Sequence, residues 1–149
     1  LSTGRSLFHL EHDWTGTDDP TAWLCIPEAL RVMATFDERG WPGVMQRNRS
    51  LALQGRALIC DILGALPPCP DTFIGSLATI PLRGLSAYQP VPNQPDPVAT
   101  ALWERYRIEV PILRFPTPDT AWVRISAQVY NQLPQYAWLA HGLQEIIDG

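Results

Sequence analysis

"AWVRISAQVYNQLPQYAWLAHGL", residues 121–143, changes its hydrophobic period midway, and that change decides how the chain is built. Up to Ser126 the alternation sends Val123 and Ile125 to one side of a strand and Trp122, Arg124 and Ser126 to the other. Beyond Asn131, which is placed to cap a helix, Leu133, Tyr136, Ala140, Leu143 and Ile147 recur along a single helical face. A strand that hands over to an amphipathic helix is therefore the C-terminal unit.

Working back from it, "IEVPILRFP" (108–116) reads as a strand paired with residues 120–128, joined through the turn-like "PTPD". Asp96 followed by Pro97 is a cap-plus-proline signal for a helix running through Arg107, after the proline-rich extended loop "YQPVPNQPDP" (88–97). "IGSLATIPLRG" (74–84) suits a strand, which Pro81 assigns to an edge or a bulge.

Pro42 to Leu63 has the longest helical pattern. Val44, Leu51, Leu58 and Ile62, flanked by Ala52, Ile59 and Leu63, recur on one side, with Gln46, Arg47, Arg49, Gln54 and Arg56 mostly on the other, until Gly64 and "PPCP" stop it. Asp19 and Pro20 open a further helix to about Glu38, with Gly40 as its left-handed terminator and a kink or break expected at Pro27. The first 18 residues have no regular pattern. The expected architecture is α+β: a small, mostly antiparallel sheet covered by helices on one face and preceded by long helices.

A chain of 149 residues suffices for one core. Charged residues make up only 17%, thin for a free-standing surface, so part of the surface is expected to lie against another domain or chain. A net charge of −4 offers no footprint for nucleic acid or an anionic membrane. The three cysteines, Cys25, Cys60 and Cys69, have neither metal-ligand spacing nor an even count, which points to buried thiols in a reducing compartment. With no long apolar run or signal-peptide layout, a cytoplasmic protein is expected. All eleven basic residues are arginine; there is no lysine, and hence no side-chain amine for covalent chemistry.

Arg124 is the leading candidate for chemistry. A strand arginine laid over Trp122 is the ordinary use of such a residue; the other use is a planar fork that grips a carboxylate through two parallel hydrogen bonds. The Gly16-Thr17 pair before Asp19 reads as a turn into a helix, and also as a hydroxyl and a backbone N–H suited to a phosphate oxygen. His12 lies close to this pair and has no assigned role; Trp103, Tyr106, Tyr136 and Trp138 read as core or domain-interface packing.

"VRISAQVYNQLPQY" resembles the C-terminal segment of fold-type I, pyridoxal-phosphate-dependent enzymes of the class V aminotransferase group, and "WTGTDDPTAWL" resembles the start of their small domain. The similarity is greatest to the isopenicillin N epimerase-like branch. It implies that Arg124 holds the α-carboxylate of an amino-acid substrate and that Thr17 reaches the cofactor phosphate bound mainly by the other subunit of a homodimer. It also implies a connecting segment over 1–18 and a C-terminal small domain over 19–149. The large domain with the cofactor lysine then lies outside this chain, which has no catalytic residue or metal of its own and is inactive alone. Cysteine desulfurases of the group carry a loop cysteine ahead of the arginine; Leu82 to Arg124 contains none, which argues against that activity. Aminotransferase or lyase chemistry stays open, as does a non-catalytic protein-interaction module.

Overall fold

The computed structural model describes residues 4–13, 16, 17 and 19–149. Trp14, Thr15, Asp18 and the expected boundary at residue 18 lie outside the described residues. Among the described residues six helices, one 3₁₀ turn and three strands follow one another, and the α+β expectation holds.

The sheet has the order β1-β3-β2, where β1 is Leu77–Leu82, β2 is Ile112–Arg114 and β3 is Ala121–Ser126. Both pairings are antiparallel, with Ile80 opposite Val123 and Ile112 opposite the same residue on the other side. Pro81, which has no N–H to give to a ladder, stands on an edge strand as expected. The alternation along β3 also holds: Ala121, Val123 and Ile125 are buried, whereas Arg124 and Ser126 are exposed. Burying each of Ile80, Val123 and Ile125 contributes about 1.5–3 kcal/mol before conformational entropy is counted.

The helices stack in turn from the buried face outward. The longer, α4 (Trp41–Ile62), lies against β1, β3 and the C-terminal helix α6 (Leu133–Asp148), while α5 (Pro97–Tyr106) packs on α6. Asp96 caps α5 by accepting the Val98 N–H at 2.9 Å. Gly64, at φ +59, takes the left-handed conformation just beyond the end of α4. Gly55 permits the close approach of α4 to the sheet corner: a Cβ there would lie 2.9 Å from the Tyr136 ring and 3.2 Å from Ile125 Cδ1.

The buried stripe of α4 differs from the expected one. Val44, Asn48, Ala52, Gly55, Arg56, Ile59 and Cys60 point inward, whereas Leu51 and Leu58 are half-buried and Ile62 is exposed. Arg56 is buried with the two terminal nitrogens of its guanidinium paired to a distant segment, donating to the Cys69 carbonyl at 3.0 Å and to the Asp71 carboxylate, while its Nε has no partner among the described residues. Asn48 is buried because it donates to Gln128 Oε1 at 3.0 Å, beyond the end of β3.

The N-terminal helix expected from Pro20 to Glu38 is two shorter ones, α2 (Thr21–Leu24) and α3 (Ile26–Ala34), broken at Cys25 so that Pro27 falls in the first turn of α3. Asp19 does cap, accepting from the Thr21 N–H at 3.0 Å. Gly40 has φ +66, but α3 has already ended and Gly40 instead precedes α4. A further short helix, α1 (Leu7–His12), forms where no regular pattern was read; Ser6 caps it, accepting from His9 N–H at 3.3 Å. None of α1, α2 or α3 buries a residue, and Phe8, Trp23, Leu24 and Phe36 are exposed. Cys25 is exposed too, contrary to the core position expected of it, because it stands at the helix break; Cys60 is buried and Cys69 half-buried. No helix among the described residues is long and apolar enough to cross a membrane.

Candidate functional site

The site lies where β3 hands over to α6. The connecting residues 127–132 are pinned from below by α4: Arg47 donates to the carbonyls of Gln128, at 3.2 Å, and Asn131, at 3.4 Å. Asn131 is not the helix cap. Its Oδ1 accepts the Gln128 N–H at 3.0 Å and so folds the connection on itself, while Gln132 and Gln135 form a reciprocal capping box at the start of α6. Tyr136 in the first turns of the helix donates its hydroxyl to the Ser126 carbonyl at 2.6 Å. Burial pushes the Tyr136 phenol up, against the pull of Arg47, and keeps it a donor.

This corner forms one wall of a cleft of about 600 Å³. The opposite wall is residues 108–111, which lead into β2, and Arg124 lines the cleft together with Ser126. Trp138 adds an aromatic side, held by its indole N–H donating to the Tyr106 carbonyl at 3.2 Å and by edge-on contact with the Tyr106 ring. Of the residues expected in the core or at a domain interface, Tyr136 is in the core, while Trp103 and Trp138 are each 50% exposed and so outside it.

Arg124 is uncommitted. Its backbone N–H donates to the Pro111 carbonyl at 3.1 Å, but among the described residues no carboxylate pairs with its guanidinium and no side chain accepts from it. Nor does it lie on Trp122, whose indole N–H donates to the Phe115 carbonyl at 2.7 Å; among the described residues the cation–π contact joins Arg107 to Trp103. The contrast with Arg114 and Arg56, both consumed by structural hydrogen bonds, is direct. A rigid backbone that presents a free planar fork into a half-apolar cleft can bind a carboxylate or another planar oxyanion.

Thr17 is exposed and is not among the residues lining this cleft; it follows Gly16, at φ +115, ahead of the Asp19 cap. His12 stacks on Phe8 and its ring nitrogen contacts the Phe8 carbonyl at 3.0 Å. Sequence reasoning missed Glu109, Asn131 and Gln135 as lining residues. For Glu109 a signal was present, since its spacing from Pro111 and Leu113 alternates in step with Arg124 across the strand pair.

Fold and site together define an α+β domain whose cleft is lined by an arginine, Arg124, that has no side-chain partner among the described residues and can meet an anionic ligand. Comparison with known proteins makes the class specific. The chain is 32% identical over 148 residues to the probable chloroplastic L-cysteine desulfhydrase of Arabidopsis thaliana, covering 94% of this chain and 30% of that protein. It is 31% identical over 136 residues to the isopenicillin N epimerase of Amycolatopsis lactamdurans and 30% identical over 132 residues to that of Streptomyces clavuligerus, covering 88% of this chain and 30% of each epimerase. No protein-family profile matches the chain. These relatives are class V aminotransferase-like enzymes that depend on pyridoxal phosphate; the chain is similar to them and spans about 30% of their length.

Proposed function

We propose that this chain is the substrate-carboxylate-binding domain of a pyridoxal-phosphate-dependent enzyme that transforms an amino acid at its α-carbon. The observation that carries the reading is the Arg124 guanidinium, unpaired among the described residues, in the cleft between residues 108–111 and α6. Its two parallel N–H groups would fix the carboxylate plane, and through it the bond at the α-carbon that must break. A charge-assisted contact of this kind is worth about 1.5–3 kcal/mol.

When bound, pyridoxal phosphate supplies the electron sink for that bond cleavage. The residues present fit the substrate's carboxylate and not the covalent anchor of the cofactor, because the chain has no lysine. That anchor has to come from polypeptide outside this chain, and by itself this chain is not catalytically competent. Thr17, an exposed hydroxyl beside a glycine with positive φ, is assigned to the cofactor phosphate across a homodimer in the cytoplasm. Epimerisation is the reaction favoured by the sequence motifs. The similarity to proteins named L-cysteine desulfhydrase favours elimination as a second reading.

In the full-length enzyme, Arg124→Lys replaces a fork with a point charge and should lower kcat/KM at least tenfold while leaving cofactor loading intact. Equal kcat/KM for variant and parent would remove Arg124 from the substrate site. Sulfide release from L-cysteine, against inversion of the α-centre without loss of the side chain, separates lyase from epimerase.

A further inference from the structure

Arg124 is not the only free charge in its cleft. Glu109 lines the same space from the neighbouring segment 108–111, and among the described residues no cationic side chain pairs with it. Its placement follows from the ladder. Arg124 donates its backbone N–H to the Pro111 carbonyl, one step beyond the Ile112–Val123 pair, and continuing the register sets Glu109 opposite Ser126. Burial agrees: residues 109, 111 and 113 are exposed and 108, 110 and 112 half-buried, the phase that matches exposed Arg124 and Ser126. Glu109 is thus a diagonal neighbour of Arg124 on one face, about 7–8 Å away between backbones and within reach of long side chains, yet no ion pair joins the two and both stay available to one ligand.

A cation and an anion both left unpaired, with Tyr136, Trp138 and Leu139 forming an apolar side between them, form a charge template. We infer that Glu109 sets the side-chain charge that this site accepts. It favours amino acids whose side chain ends in a cation or hydrogen-bond donor and rejects those with a second carboxylate. The inference rests on the assignment of the substrate's α-carboxylate to Arg124. With that group on Arg124, the side chain extends along the cleft, and the first charged group within its reach is the Glu109 carboxylate. An anionic terminus meets like charge there, and Arg124 is already engaged.

The test uses the full-length holoenzyme and three probes of matched length, L-ornithine, L-norvaline and L-glutamate, with dissociation constants from calorimetry. The parent should bind them in that order. Glu109→Gln should reduce the ornithine-to-glutamate preference about tenfold with norvaline unchanged, and Glu109→Arg should reverse it. A preference identical in parent and Glu109→Gln overturns the inference, as does a parent that binds all three alike. Arg124→Lys is the control for the underlying assignment. If it weakens all three probes equally while Glu109→Gln alters nothing, the carboxylate site stands and the charge filter falls. If Arg124→Lys weakens none, the assignment itself falls and the filter with it.

Discussion

The hydroxyl of Tyr136 donates to the backbone carbonyl of Ser126 at 2.6 Å and so ties the first turns of α6 to the end of the strand that carries Arg124. This single bond spans the corner at which the cleft opens, and the Tyr136 ring is itself held against Gly55 of α4. Removing the hydroxyl leaves the Ser126 carbonyl without that donor. Tyr136→Phe should therefore lower the unfolding free energy by about 1 kcal/mol, read from the urea midpoint. An unchanged midpoint would show that the corner is held by packing alone.

A second tie sits at the far side of the sheet. Asp96 receives the Arg114 guanidinium at 2.7 Å, with both side chains largely buried, while also capping α5 through Val98. Arg114 continues to the Tyr88 carbonyl at 2.9 Å and so draws the proline-rich loop onto β2. Asp96→Ala removes the cap and strands a buried cation. The expected loss is about 3–5 kcal/mol in the same denaturation measurement. A loss near that of an ordinary exposed cap, about 1 kcal/mol, would mean that Arg114 finds water readily.

Stability should also fall on the alkaline side. Burial pushes the Cys60 thiol up, with the nearby Arg56 opposing it, so the folded chain keeps a proton that the unfolded chain gives up at the ordinary thiol value of about 8.5. The unfolded state then binds fewer protons, and the unfolding free energy decreases as pH rises above that value. The Cys60 contribution is fully present below it. Urea midpoints measured at pH 7.5 and 9.5 should drop more for the parent than for Cys60→Ala; equal drops would show that the thiol does not titrate differently on folding.

Thr17 carries a separate expectation in the full-length dimer. If its hydroxyl contacts the cofactor phosphate, Thr17→Ala should raise the dissociation constant for pyridoxal phosphate about tenfold or more, which is what one lost hydrogen bond to a charged group costs. Substrate affinity at saturating cofactor should not change. A cofactor dissociation constant equal to the parent's would leave Thr17 as a turn residue before Asp19.

What was legible in the sequence was governed by local rules. The alternation around Arg124, the edge placement of Pro81 and the Asp96-Pro97 helix start each depend on residues within a few positions, and each holds. The face of α4 was not legible, because Asn48 and Arg56 find their partners at Gln128, Cys69 and Asp71, far along the chain. Helical period alone counts such polar residues as outward-facing. The cap of α6 went to Gln132, since Asn131 was taken up by the preceding connection. Arg124 could be read from its place in the strand. That no described carboxylate pairs with it could not, because that depends on where each carboxylate comes to rest.

The central claim concerns a carboxylate and a guanidinium, and it is tested most directly by removing each in turn. In the full-length enzyme, an amino-acid substrate and its carboxamide would be titrated against the parent and against Arg124→Gln. The parent should prefer the acid by about tenfold or more, and Arg124→Gln should bind acid and amide alike. An acid preference that survives intact in Arg124→Gln would place the carboxylate on another residue and contradict the account.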